Sequence, residues 1–316
     1  MHIFITGITG FLGGTVARKL LSNSRFSLMA GVRKTVALPQ GIKLTEVGEI
    51  NQKTNWSKAL DKSEVVIHCA ARVHVMSDSS ADPLSEFRSV NTFGTLNLAK
   101  QAAQSGVRRF IFISSIKVNG EHTTASSPFT PNDAYVPTDP YGLSKYEAEV
   151  GLQKIAQETG MKVVIIRPPL VYGPGVKGNF VSMMKWLSKG IPLPLGAINN
   201  KRSLVSLDNL VDLIVTCIDH PNAANEIFLV SDDNDISTTT LLTKLAVSLN
   251  APKRLLPVPG AWLLFCAKLL GKQDVAQRLL GSLQVDITKT KSLLDWTPPY
   301  TVDESLKKTA QFFLKQ

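Results

Sequence analysis

The first half of the chain alternates short, β-branched apolar runs with longer stretches whose apolar residues recur every three to four positions. The runs HIFIT at 2 to 6, FSLMAGV at 26 to 32, IKLTEV at 42 to 47, EVVIHCA at 64 to 70, RRFIFIS at 108 to 114 and KVVIIR at 162 to 167 read as strands. Residues 12 to 21 and 87 to 104 read as helices, the second placing Phe87, Val90, Asn97 and Leu98 near one face. Strand, helix, strand in that order predicts right-handed crossovers and a parallel sheet covered on both sides.

After Arg167 the rhythm breaks. RPPLVYGPGVKGNF and GIPLPLGAINN are rich in Pro, Gly and Asn and read as loops at a boundary. SLVSL at 203 to 207, a helix from about 208 to 219 and EIFLVS at 226 to 231 return to the first pattern, and from Thr238 onward the chain reads as mostly helical. The expectation is an α/β protein in two parts, for which 316 residues suffice. A doubly wound parallel sheet of Rossmann type takes residues 1–167 and 203–231. A smaller, discontinuous, mostly helical substrate-binding domain takes 168–202 and 232–316.

Thirty-five Lys and Arg against 25 Asp and Glu give a net charge of +10, which suits an anionic partner. Cys69, Cys217 and Cys266 form no CxxC pair, so a reducing, cytoplasmic setting is expected. The five histidines show no metal-ligand spacing, and no metal site is expected. No aromatic stacking motif or basic cluster points to nucleic acid. The longest wholly apolar run, 261 to 267, falls far short of the ~20 residues that span a bilayer. The N-terminus reads as a strand entering a glycine turn rather than a signal peptide. Residues 262 to 271 are unusually apolar, but without a basic polar face they read as a packing or oligomer-contact helix rather than a membrane-surface one.

Gly7, Gly10 and Gly13 lie in GITGFLG, between the first strand and the first helix. The first permits a tight turn, the second lets backbone approach a pyrophosphate, and the third lets helix pack close on strand. The helix N-terminus then offers N–H donors to phosphate. At the end of the second strand, where NAD sites place an acid, the chain reads GVRKT. Arg33 and Lys34 there favour NADP(H), with NAD(H) as the alternative.

In DPYGLSKYEAE, Asp139 and Pro140 suit a helix start and put Tyr141 and Lys145 on one face. An ammonium beside a phenol lowers its pKa and makes it a usable acid or base. Ser114 and Ser115 end the fifth strand at the edge where such sheets bind ligands.

These motifs, with CAAR at 69 to 72, VNTFGT at 90 to 95, SSIKVNG, RPPLVYGPG, RSLVSLDNLVD and LLDWTPPY, resemble the extended short-chain dehydrogenases/reductases that act on nucleotide sugars. The resemblance runs essentially the whole length. It implies catalysis by Ser115, Tyr141 and Lys145. For the cofactor it implies Phe11 and Leu12 beside the three glycines, Glu49 and Ile50 near the adenine, and Ala70, Ala71, Asn91, Ser114 and Pro168 along the cleft with Tyr141 and Lys145. For a UDP-sugar it implies Asn179, Arg202 and Arg278 at the diphosphate, more weakly Lys177 and His74, and backbone around Leu195 at the uracil. A homodimer is compatible with it.

The dehydratases of this family carry an acid pair where Ile116 and Lys117 stand, so elimination of water is not expected. The leading expectation is reduction of a UDP-4-keto-6-deoxy-N-acetylhexosamine for polysaccharide or O-antigen precursors. The alternative is a UDP-hexose or UDP-N-acetylhexosamine 4-epimerase. A non-catalytic dinucleotide sensor leaves the Ser, Tyr and Lys set unexplained.

Overall fold

The computed structural model describes residues 1–37, 39–73, 82–124 and 127–316. Seven parallel strands form the main sheet: β1 His2–Thr6, β2 Ser27–Val32, β3 Ile42–Glu46, β4 Val65–His68, β5 Arg109–Ile113, β6 Lys162–Arg167 and, later, β9 Ile227–Leu229. Their order is β3-β2-β1-β4-β5-β6-β9, the doubly wound Rossmann arrangement. The inner strands are largely apolar because both faces are covered, whereas the edge strand β3 (IKLTE) is only partly buried. Ile3, Ile5, Ile67, Ile111 and Ile166 join one core layer, while Phe4, Val66, Phe110, Phe112 and Val163 join the other. Alternate residues thus serve opposite layers.

Helix α1 (Phe11–Leu21) packs on the first face. On the second face, α2 (Pro83–Phe87) passes through a π-helical segment, Arg88–Gly94, into α3 (Thr95–Gln104), beside the long α4 (Pro140–Thr159). Helix α4 starts as its sequence predicts. Asp139 accepts from Gly142 N at 3.0 Å, Pro140 occupies the first turn, and Gly160 at φ 76° ends it.

Beyond β6 the structure departs from the sequence reading. Within the supposed loop RPPLVYG, β7 (Leu170–Tyr172) pairs with β8 (Leu204–Ser206) in a separate two-stranded sheet, and only 227–229 rejoins the main one. Helix α5 (Asn179–Ser188) lies between these two strands and α6 (Leu207–Thr216) follows β8. A third apolar cluster joins α5 to α7 (Thr238–Ser248) and α11 (Val302–Leu314) through Phe180, Met184, Leu242, Leu245, Leu306 and Ala310. The remaining helices are α8 (Gly260–Leu269), α9 (Gln273–Leu280) and α10 (Thr288–Leu294). No helix among the described residues is long and apolar enough to cross a membrane.

Strand order reverses between β1 and β4, which opens a crevice at their carboxyl ends. The glycine turn follows β1, and Cys69 to Arg72 follows β4.

Candidate active site

Gly7 has φ +73°, and a Cβ on it would lie 2.7 Å from Ala70 N. Any side chain there would collide with the backbone of Cys69 and Ala70. A Cβ on Gly13 would lie 2.4 Å from Gly7 O, so α1 rests directly on the turn, which Gly10 N closes by donating to Gly7 O at 2.9 Å. Helix α1 has no side-chain cap and no acid in its first turn. The first-turn N–H groups of Phe11, Leu12 and Gly13 therefore have no intrahelical partner and present the positive end of the helix to the crevice. These features fit a pyrophosphate.

Arg33 and Lys34 are exposed just past β2. Parallel pairing sets Glu46, the last residue of β3, opposite Val32. Its carboxylate accepts from Thr35 N at 3.1 Å and from Thr35 Oγ1 at 3.0 Å. A carboxylate that looked remote in sequence thus stands beside the edge. Glu49 is exposed, and Ile50 packs so tightly on the π segment that a Cβ on Gly94 would lie 2.7 Å from its Cγ2.

Ser115 caps a short 3₁₀ turn, its Oγ accepting from Lys117 N at 3.3 Å. Tyr141, in the first turn of α4, packs edge-on against Phe87 with ring centroids 5.8 Å apart. Burial pushes its phenol up to about 12, while a hydrogen bond with Ser115 works downward and Asp139 adds to the rise. Tyr141 is therefore protonated at neutral pH. Lys145 is buried, donates to Ile113 O at 2.9 Å and lies 4.5 Å from the centre of the Phe112 ring. Burial pulls its ammonium down to about 8 against the opposing pull of Glu149 and Cys69. In this state the hydroxyl partner of Tyr141 is Ser115, and Lys145 is held by Ile113. The hydrogen bond of Lys145 goes to the Ile113 carbonyl, which leaves its charge as the means by which it could act on the phenol.

One turn further along α4, Glu149 anchors a buried network that sequence reasoning missed. It accepts from Arg167 Nε at 3.0 Å and Nη2 at 2.5 Å, and from the Ser114 hydroxyl. Arg167 Nη1 reaches Asn119 Oδ1 at 3.0 Å. The hydroxyl of Ser114, expected to face the cofactor, is instead committed to Glu149. The signal in the sequence is the continued four-residue spacing Tyr141, Lys145, Glu149. Pro168 accepts at its carbonyl from Ile116 N at 3.0 Å, which extends the β5–β6 pairing into the site.

Asn91 also works within the protein. It is buried in the π segment, donates to Arg72 O at 3.0 Å and Ser144 Oγ at 3.1 Å, and accepts from Arg72 N at 2.9 Å. It clamps the Ala70–Ala71 loop to α4 and has its amide occupied by protein groups. Behind that loop, His68 Nδ1 lies 2.6 Å from Thr6 Oγ1 and Nε2 lies 2.9 Å from Thr95 Oγ1, while Thr6 Oγ1 also accepts from Ala70 N at 3.2 Å. Burial, with Lys145 nearby, pushes His68 down to about 3, so it is neutral.

On the other side of the chain, Lys177 and Asn179 are exposed at the start of α5, and Leu195 is half-buried with its carbonyl accepting from Thr239 Oγ1 at 2.6 Å. Arg202 Nη1 donates to Arg278 O at 3.0 Å and Gly281 O at 3.2 Å, bringing the two arginine positions together at the end of α9. Arg278 itself is exposed. His74 lies outside the described residues.

The chain belongs to the NAD dependent epimerase/dehydratase family, whose model matches residues 3–231. It is 55% identical over 314 residues to a UDP-glucose 4-epimerase of Vibrio cholerae, covering 99% of this chain and 95% of that one. It shares its fold with the UDP-glucuronic acid 4-epimerase of Bacillus cereus in complex with NAD (TM-score 0.80, 19% identity, covering 100% and 97% of the two chains). The Thermotoga maritima UDP-glucose 4-epimerase with UDP-glucose is similar to it as well (TM-score 0.77, 22% identity, covering 100% and 99%).

The expected reductase of a UDP-4-keto-6-deoxy-N-acetylhexosamine is overturned by the close match to a 4-epimerase. The physical reason is that reductases and epimerases use the same hydroxyl, phenol and ammonium at C4. These residues do not record whether the cofactor is exchanged or retained.

Proposed function

We propose that the protein is a UDP-hexose 4-epimerase acting with retained NAD on UDP-glucose and its C4 isomer. The observation that carries this reading is the 55% identity, over 99% of the chain, to the Vibrio cholerae UDP-glucose 4-epimerase. Bound against the Gly7, Gly10 and Gly13 turn, NAD would supply a hydride acceptor for C4 of the sugar. As the phenolate, which Lys145 and the positive charge of a bound NAD would favour over the neutral phenol of the cofactor-free protein, Tyr141 takes the proton of the C4 hydroxyl and returns it after the sugar has turned its other face. Ser115 hydrogen-bonds to that oxygen, and Lys145 adds positive charge behind it, which favours the phenolate form. Arg33 and Lys34 speak for NADP, but Glu46 beside Val32 supplies a carboxylate of the kind that suits a free ribose, and the Bacillus cereus relative holds NAD.

We assign UDP-sugar binding to residues 168–202 and 232–316, with Arg202, Arg278 and Asn179 at the diphosphate and Lys177 and Leu195 at its margin. Arginine suits paired phosphate oxygens. Exposed Phe93 and Val150, on adjoining helical segments, support a homodimer. The three free cysteines suit the cytoplasm. The test is nuclear magnetic resonance of UDP-glucose incubated with the purified protein. Appearance of UDP-galactose supports the reading, and an unchanged spectrum with fully NAD-loaded protein overturns it.

A further inference from the structure

We propose that the hairpin of α8 and α9 docks the protein on the surface of an anionic lipid bilayer. Helix α8 contains no buried residue, although it reads GAWLLFCAKL. Trp262 is 65% exposed, Phe265 58%, and Leu269 and Leu270, at its end, 72% and 74%. A helix apolar around most of its circumference is stable when something apolar covers it. Here the fold of the single chain leaves it uncovered, so of the packing or oligomer-contact role expected from the sequence, packing within the chain is not met.

Charge selects the covering. From 251 to 281 the chain carries Lys253, Arg254, Lys268, Lys272 and Arg278 against the single acid Asp274. All five cations are exposed. Lys268 and Lys272 flank Leu269 and Leu270, so their stems can lie along apolar surface while the ammonium groups reach anionic headgroups. A second copy of the chain on the same face would bring these cations against one another. At 1.5 Å per residue, ten residues extend only about 15 Å, half of the hydrocarbon core, so α8 lies in the interface rather than across it.

The hairpin is fixed to the rest of the protein where Arg202 Nη1 holds the carbonyls of Arg278 and Gly281. Docking would therefore set the membrane beside the arginines assigned to the diphosphate. The inference stands on α8 and its charges and is independent of the epimerase reading.

The test is co-sedimentation of the full-length protein with vesicles of phosphatidylglycerol and phosphatidylcholine, compared with phosphatidylcholine alone, at low and high salt. Binding should favour anionic vesicles by at least about tenfold and weaken with salt. The variant Trp262→Ser/Phe265→Ser/Leu269→Ser should lose at least about tenfold of the binding while keeping its unfolding midpoint. Wild-type protein that ignores anionic vesicles, or a triple variant that binds as well as wild type, overturns the inference. So does gel filtration in which the triple substitution converts a dimer to a monomer while vesicles capture neither form.

Discussion

Lys145 Nζ donates to the carbonyl of Ile113 at 2.9 Å, which ties the helix carrying Tyr141 to the last residue of the strand that leads into Ser115. The bond fixes two elements rather than two side chains. Tyr141 and Ser115 can then meet reproducibly, although they are 26 residues apart (141 − 115) in the chain.

Tyr141→Phe removes the hydroxyl proposed to carry the proton of the C4 oxygen and leaves the ring that packs on Phe87. Turnover should fall by at least about a hundredfold, with cofactor affinity and thermal stability near wild type. Steady-state kinetics of the purified variant check this, and wild-type turnover would remove Tyr141 from the mechanism.

Glu149 and Arg167 are both almost wholly buried and make a forked contact. Removing one partner strands the other's charge away from water. Glu149→Gln or Arg167→Met should each cost about 3–5 kcal/mol in urea unfolding, whereas the double variant should cost less than the two added together. Strict additivity would show that the two residues do not act as a pair.

His68 gives the protein an acid-side weakness. Its folded value of about 3 lies below the ordinary 6.5, so between those limits the unfolded chain binds a proton that the folded one refuses. Stability should fall as pH drops through that window, by on the order of a few kcal/mol. His68→Gln, measured by denaturant unfolding from pH 7 to 4, should flatten the slope. An unchanged slope would place the loss in the carboxylates instead.

Arg33 is exposed and Glu46 stands across the pairing from Val32. For a retained NAD, Arg33→Ala should change affinity by less than about threefold, while Glu46→Gln should weaken it about tenfold. Titration calorimetry on the cofactor-free protein measures both. A loss confined to NADP(H) binding in Arg33→Ala, with NADP(H) bound more tightly than NAD in wild type, would restore the cofactor choice drawn from the sequence.

The sheet was legible because its inner strands are apolar on both faces, and the start of α4 because Asp139 and Pro140 announce it. The strand Leu170–Tyr172 was hidden by the prolines and glycines around it and declares itself only through its partner at Leu204–Ser206. Tyr141 and Lys145 share a local spacing, so their grouping was readable. Arg167 meets Glu149, and Glu46 meets the end of β2, only through tertiary pairing. Whether the cofactor is consumed leaves no trace in Ser115, Tyr141 or Lys145, because both reactions need the same proton chemistry there.

In the proposed epimerisation, hydride leaves and returns to the same sugar with no net use of cofactor. UDP-glucose carrying deuterium at C4 should give UDP-galactose with the label kept at C4, with the protein's NAD unchanged in amount and no reductant added. Loss of the label from C4, or one cofactor molecule oxidised or reduced for each sugar converted, would contradict it.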